Sequence, residues 1–329
     1  MITLNDYLFS GDTVLKILHS YSKDLKENSL NTHNAIDLVH CNFLLQQIDI
    51  LEHNDFLTSQ SQRIRELYKI MAKEFPFLAF TFRGRIKSII RAEEKFNGYI
   101  VEYVYDYYKE NGEFPSIDNL KQRLSFFRDL IAYRIVVSMP QCHIKEGDDR
   151  REIELDYLYK IANILPEFLE ERGFSVQISD KKEPNISERL TPELVSYYRD
   201  YIENPTPIGY QSLHITLYDN ISRSYVEVQL RTKDMDDYAE IGAANHLGYE
   251  KRQEEERTRR DEIPTGVYPV FDEAFERVVK LHELDLSKVN VNMFGAISNS
   301  VMNDGCGLFR GRLILPYEHL SRFQNDIID

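Results

Sequence analysis

Apolar positions recur at helical spacing through the first part of the chain. Ile36, Val39, Phe43, Leu44, Ile48 and Leu51 lie three or four apart, with Asn42, Gln46 and Glu52 between them, and predict a helix. A second helical stretch is expected from Ser59 to Lys73. Pro76 breaks it, and Leu78-Ala79-Phe80-Thr81-Phe82 reads as a short strand. From Lys87 to Lys109 the period turns helical again, with Phe96, Tyr99, Ile100, Tyr103, Val104 and Tyr107 on one stripe. Asn111-Gly112 closes that helix and Pro115-Ser116 opens the next. Leu130 to Val137 is almost continuously apolar and predicts a buried central strand. Arg134 interrupts it, and a charge there must be paired or face a ligand. An amphipathic helix over Arg151–Glu171, a strand over Phe174–Ser179 and a helix over Thr191–Tyr201 are expected next, ahead of the rigid Pro205-Thr206-Pro207 loop.

Period two is clearest further on. Leu213, Ile215 and Leu217 alternate with polar neighbours. After a turn at Asp219-Asn220, so do Val226, Val228 and Leu230. Two such runs around a short turn predict an antiparallel hairpin. With the apolar faces inward, His214, Glu227, Gln229 and Arg231 share the other face. A helix is expected over 233–259, ending in a mixed-charge run (250–262) to which no function is given. Phe271, Phe275, Val278 and Leu281 mark a helical appendage, and 313–315 a late strand. The order of elements gives an α/β (α+β) protein with a mixed sheet flanked by helices. It divides into a helical segment (1–76), a central domain (77–262) and a mainly helical extension (263–329).

Composition narrows the classes. Forty Lys and Arg against 54 Asp and Glu leave a net charge of −14, which argues against duplex DNA as a partner. No apolar run approaches the about 20 residues needed to cross a bilayer, so no membrane association is expected. The N-terminus lacks a secretory pattern. Three widely spaced cysteines form no CxxC pair, so a reduced, cytoplasmic protein is expected. A homo-oligomer is compatible with the sequence.

Some residues suggest chemistry. Asp129 stands where the buried strand begins, and Glu227 stands mid-strand on a polar face. Two strand-borne carboxylates can hold Mg²⁺ for phosphoryl-type transfer, with one accepting a hydroxyl proton. They read equally well as partners of Arg134 and Arg231. Arg83-Gly84-Arg85-Ile86-Lys87 places three cations after a strand, which suits a polyphosphate or a solvated loop. In Gly209-Tyr210, glycine allows close backbone approach and the ring could stack on a base.

Together these segments resemble a known family. Arg85-x-Lys87, Arg128-Asp129-Leu130-Ile131-Ala132-Tyr133-Arg134, Gly209-Tyr210-Gln211-Ser212-Leu213-His214, Val226-Glu227-Val228-Gln229-Leu230-Arg231-Thr232 and Ala239-Glu240-x-Gly242-Ala243-Ala244-x-His246-x-x-Tyr249-x-Lys251 are similar to the RelA/SpoT alarmone synthetase domain over residues 78–252. The pattern looks like the small, stand-alone type. The resemblance implies a nucleotidyltransferase-like fold. It also implies transfer of the pyrophosphate of ATP to the ribose 3′-hydroxyl of GDP or GTP, the GTP pyrophosphokinase reaction, releasing AMP and making ppGpp or pppGpp. By motif position, Asp129 would hold Mg²⁺, and Glu227 would act as general base or second metal ligand. Tyr210 would stack on the acceptor's guanine. Arg85, Lys87 and Arg134 would bind ATP, and His214, Gln229 and Arg231 would line the acceptor site.

The chain departs from the family pattern in two places. Ser88-Ile89 follows Lys87 directly. Pro205-Thr206-Pro207-Ile208 stands where the family usually has Pro-Lys-x-Asn, so contacts to the acceptor's phosphates differ. The alternatives are the same transfer to an adenosine nucleotide or a tRNA 3′ end, and an inactive nucleotide-binding regulator. There is no His-Asp dipeptide and residues 1–76 are too short for the family's hydrolase domain, so hydrolase activity is not expected.

Overall fold

The computed structural model describes residues 1–53, 56–124, 127–179, 185, 187–240, 254–285 and 288–290, and the backbone of 308–309 and 312–313. The chain divides into two units, neither of them a continuous stretch. One comprises 1–54, 87–127 and 252–318; the other comprises 55–86, 128–251 and 319–329.

The first unit is helical. Its described helices are α1 (Asn5–Leu8), α2 (Val14–Thr32), α3 (Ala35–Glu52), α6 (Ile89–Asn111), α7 (Ile117–Leu124), α10 (residues 254–262) and α11 (Pro269–His282). Capping fixes where several of them start. Thr13 accepts a hydrogen bond from the Lys16 N–H, Asn34 from the Ile36 and Asp37 N–H groups, and Ser88 from the Arg91 N–H. Gly112 ends α6 at φ +71°, as expected of a glycine after the last turn. Phe96, Ile100 and Val104 are fully buried, whereas Tyr99 on the same stripe stays 41% exposed. The core also holds polar groups. The Glu93 carboxylate accepts from the Tyr21 hydroxyl (2.8 Å) and Asn97 (3.0 Å) and pairs with His40 (2.7 Å). Arg277, 3% exposed, donates to Asp37 at 2.8 Å. A two-residue pairing, Leu308–Phe309 with Arg312–Leu313, covers the start of the expected late strand; 314–315 lie outside the described residues.

The second unit carries α4 (Phe56–Arg65), α5 (Leu67–Glu74), β1 (Ala79–Ile86), β2 (Ile131–Ser138), α8 (Arg150–Glu170), β3 (Phe174–Val176), β4 (Tyr198–Asp200), β5 (Leu213–Asp219), β6 (Ser224–Thr232) and α9 (Lys233–Glu240). The fold is mixed α/β, with a mostly antiparallel sheet flanked by helices. Strand order is β1-β2-β6-β5-β3, with β4 also on β5, and β2–β6 is the parallel pair. One face carries Phe82, Tyr133, Ile135, Val228, Leu230, Leu213 and Ile215, all buried. α8 packs against β2, β3 and β6 and buries Leu158, Ile161, Leu165 and Leu169.

Two expectations are corrected. The stretch 191–201 is not an α-helix: a turn and one 3-10 turn (Val195–Tyr197) lead into β4. Tyr198, Arg199 and Asp200 pair with Ile215, His214 and Leu213, and the buried Tyr198 hydroxyl donates to the Ala162 carbonyl at 2.6 Å. A free edge on β5 and a deep slot for the ring outweigh local helical spacing. The basic cluster also does not follow a strand: β1 runs on through Ile86, so Arg83 and Arg85 are strand residues. The expected helix over 233–259 is described as α9 and as 254–262, with 241–253 outside the described residues.

Arg277→Met should lower stability by about 3–5 kcal/mol, because Asp37 would stay buried without its cation. Urea unfolding followed by circular dichroism measures this. A loss under about 1 kcal/mol would mean that Asn28, at 2.6 Å, suffices for Asp37.

Candidate active site on the polar face of the sheet

Strand register decides which side chains meet. Arg83 opposes Arg134, and Arg85 opposes Ala132. Arg134 opposes Gln229, and Ala132 opposes Glu227. Gln229 opposes His214, Glu227 opposes Thr216, and His214 opposes Arg199. Paired residues in a sheet share a face. Arg83, Arg85, Arg134, Arg199, His214, Thr216, Glu227, Gln229 and Arg231 therefore line one face, opposite the apolar core. The hairpin's expected polar face is present, and β1, β2 and β4 extend it.

Glu227 is its centre. It is 5% exposed and accepts from Arg199 Nη2 at 2.5 Å and from Gln229 Nε2 at 2.5 Å, while His214 Nδ1 lies 3.1 Å away. Burial opposes ionisation, but His214, Arg199 and Gln229 outweigh it and hold the carboxyl well below its usual range. Burial pushes the His214 imidazole down, so it is neutral near pH 7. The direction of the hydrogen bonds follows. Arg231 Nη2 donates to the Tyr210 oxygen at 2.5 Å. Tyr210 donates its O–H to His214 Nε2 at 2.8 Å, and Nδ1–H donates to Glu227. Burial raises the Tyr210 phenol, which stays protonated.

The arginines do not pair with Glu227 and Asp129 as the bland reading of the sequence had it. Arg134 Nη1 donates to Asp236 Oδ1 at 2.9 Å, and Arg231 Nη1 donates to the same oxygen at 3.2 Å. Arg83 Nη1 is 3.6 Å from the other oxygen of Asp236. Glu240, one turn further along α9, meets Arg134 at 2.9 Å. Arg231 is 3% exposed, and its Nη2 also donates to Gln229 at 2.9 Å. It therefore orients neighbours rather than facing solvent.

The loop before β5 sets Tyr210. Gly209 has φ +78°, and a Cβ there would come 3.0 Å from the Tyr238 hydroxyl. That hydroxyl donates to the Ile208 carbonyl at 2.9 Å. Thr206 spends its own hydroxyl on the Tyr210 N–H at 3.1 Å. Tyr210 is half-buried, with the Arg231 guanidinium 4.9 Å from its ring centroid and Tyr201 edge-on at 6.0 Å.

Asp129 lies two residues before β2, half-buried. Its charge acts on Arg199, which Glu227 more strongly holds in its charged form against burial. The carboxylates of Asp129 and Glu227 are hard oxygen donors of the kind that suits Mg²⁺ when a nucleotide and water complete the shell. Among the described residues no three His, Cys, Asp or Glu side chains converge as a metal site. Lys87 lies one residue beyond β1 and belongs to the helical unit. His246, Tyr249 and Lys251 fall outside the described residues. Arg199 and Asp236 were missed as site residues. Arg199 was hidden by the helical reading of β4. Asp236 could have been found from its spacing of four to Glu240 on a helix directly after Arg231.

Known proteins match this sequence. The profile described as the region found in RelA / SpoT proteins matches residues 84–254, just over half of the chain. The chain belongs to the RelA/SpoT family. Relatives include the GTP pyrophosphokinase rsh of Brucella ovis, 32% identical over 81 residues, which are 25% of this chain and 11% of that protein. The probable chloroplastic GTP diphosphokinase CRSH of Arabidopsis thaliana is 27% identical over 232 residues, 63% of this chain and 39% of the relative. This RelA/SpoT chain thus spans well under half the length of these curated relatives. The small alarmone synthetase 1 of Bacillus subtilis bound to its product pppGpp is 18% identical, covering 73% of this chain and 93% of that one, at a TM-score of 0.32. Among the described residues of this family member, no helix is long and apolar enough to cross a membrane.

Gly209→Ala should cost about 1–2 kcal/mol from the left-handed backbone alone. Adding Tyr238→Phe should recover part of the loss in melting temperature, because the oxygen nearest the new Cβ is gone. A Gly209→Ala protein as stable as the parent would mean that the loop adopts another φ.

Proposed function

We propose that this RelA/SpoT protein transfers the pyrophosphate of ATP to the ribose 3′-hydroxyl of GDP or GTP, releasing AMP. The observation that carries the reading is one ionised, buried carboxylate, Glu227, on a sheet face that also carries five arginines. A polyphosphate donor needs the cations, and a hydroxyl acceptor needs the carboxylate. Glu227 accepts the proton of the 3′-hydroxyl once that hydroxyl replaces one of its present donors. The neutral His214 keeps the carboxylate oriented through Nδ1–H. Tyr210 offers its ring to the acceptor's base, and Arg85 and Arg134 bind ATP. Asp129 and Glu227 would hold Mg²⁺, which when bound would neutralise phosphate charge.

A second reading rests on the acceptor loop. Thr206 uses its hydroxyl internally and Ile208 is apolar, so this loop offers no cation to an acceptor's phosphates. The same transfer to an adenosine nucleotide or a tRNA 3′ end would follow. One experiment separates them: purified protein with Mg²⁺, labelled ATP and each acceptor in turn, with the products resolved. GDP or GTP should become labelled as AMP appears. Labelled tRNA with no nucleotide product would replace the first reading.

Glu227→Gln and Asp129→Asn should each nearly abolish the transfer in a folded protein, and loss of the base alone is worth about 10²–10⁴ in rate. Tyr210→Ala should raise the acceptor KM and spare the ATP KM, at about 1–3 kcal/mol for one lost stacking surface. Equal weakening of both substrates would remove Tyr210 from the acceptor's base.

A further inference from the structure

Asp236 is 4% exposed and lies in the first turn of α9. It touches arginines from three strands: Arg83 of β1, Arg134 of β2 and Arg231 of β6. A single oxygen, Oδ1, receives both Arg134 and Arg231. The Nε atoms of Arg134 and Arg231 are buried and make no hydrogen bond. Neither guanidinium is therefore locked by a two-point grip at Nε, and each takes its orientation from its Nη contacts. For Arg231 the Nη1 contact is Asp236, while Nη2 holds the Tyr210 hydroxyl and Gln229.

A continuous series of hydrogen bonds results. It runs from Arg134 to Asp236, on through Arg231 to Tyr210, then to His214 and Glu227. Burial would raise the Glu240 carboxyl, but Arg134, Arg231 and Arg85 hold it below its usual range, so a second negative charge stands beside the same arginines. Without Asp236, three guanidiniums would lie close together with Glu240 beside Arg134 as the remaining carboxylate among the described residues, and mutual repulsion would spread them.

Resting on the pyrophosphate-transfer reading above, we propose that Asp236 is a positioning residue shared by both nucleotide sites. Through Arg134 it aims a donor-phosphate contact, and through Arg231 it fixes the Tyr210 ring that takes the acceptor's base. It is not itself a ligand, since a carboxylate repels phosphate. A polyphosphate does not displace it, because Asp236 and Arg231 are 4% and 3% exposed and are held by a helix and a central strand.

The test compares the whole wild-type chain with Asp236→Asn, Asp236→Glu and, as a control on the same helix, the exposed Asp234→Asn. Read-outs are KM for ATP and for the acceptor, kcat, the Kd of ATP with Mg²⁺ by calorimetry, and melting temperature. Asp236→Asn should raise both KM values and the ATP Kd about ten-fold, the worth of one weakened charged hydrogen bond, with kcat within about three-fold. Asp236→Glu should recover part of both, and Asp234→Asn should change neither. KM values within two-fold of wild type, with or without a lower melting temperature, would make Asp236 a structural counterion and overturn the proposal. So would tighter ATP binding, which would make it a competing anion. If the wild type turns over no acceptor but binds ATP, the transfer reading fails, and the calorimetric comparison still decides whether Asp236 aims Arg134. A wild type that neither turns over nor binds ATP overturns both.

Discussion

A carboxylate 5% exposed stays ionised only if surrounding donors replace the water it has lost. Glu227 is such a group, and much of the second unit follows from satisfying it. Arg199 reaches it because β4 pairs with β5, His214 because β5 pairs with β6, and Gln229 because it lies two residues along the same strand. Two of these three donors depend on strand register: a slip of one residue between β4 and β5 would remove Arg199, and one between β5 and β6 would remove His214 and Arg199 together. The arginines further across the face obey the same rule in reverse. They are cations partly withdrawn from water, and α9 brings Asp236 and Glu240 to them. The result is a face on which opposite charges are sorted: a carboxylate ringed by donors at one end, guanidiniums around carboxylates at the other.

How much of this could be read from the sequence depends on the range of the interaction that fixes each element. The hairpin was legible, because alternation on both sides of a short, four-residue turn is a local signal. So was β2, whose apolar run, broken only by Arg134, has no other comfortable place. The C-terminal end of α6 was legible too, since Gly112 acts on its own backbone. β4 was not. Its residues carry helical spacing, and only the open edge of β5 and the slot that takes Tyr198 make them a strand. The role of Asp236 was equally hidden, because its partners lie on three strands. Residue type alone marks Asp129 and Glu227 as a pair; the Arg199 guanidinium that Glu227 binds lies on β4, whose residues carry helical spacing.

The helical unit uses buried charge differently. Glu93 sits between a tyrosine, an asparagine and a histidine stacked on Phe96, and Arg277 with Asp37 ties a helix near the end of the chain to one near its start. Such groups add little net stability compared with apolar substitutes but penalise every packing that leaves one of them unmatched. They therefore specify which helix meets which, in a unit whose three segments are far apart in the chain.

The parallel contact between β2 and β6 has a kinetic meaning. Residues 131–137 must find 226–232 across nearly a hundred intervening positions, while β5 and β6 meet through a short turn. Local closure precedes distant pairing, because a long loop costs entropy before its contacts repay it. The Glu227 half of the face can therefore form early, on the hairpin. The Arg83, Arg85 and Arg134 half joins it only when the distant strands dock. During synthesis a nascent chain long enough to hold every arginine of β1 and β2 would still lack this face, which comes into being as a whole only after β6 has emerged.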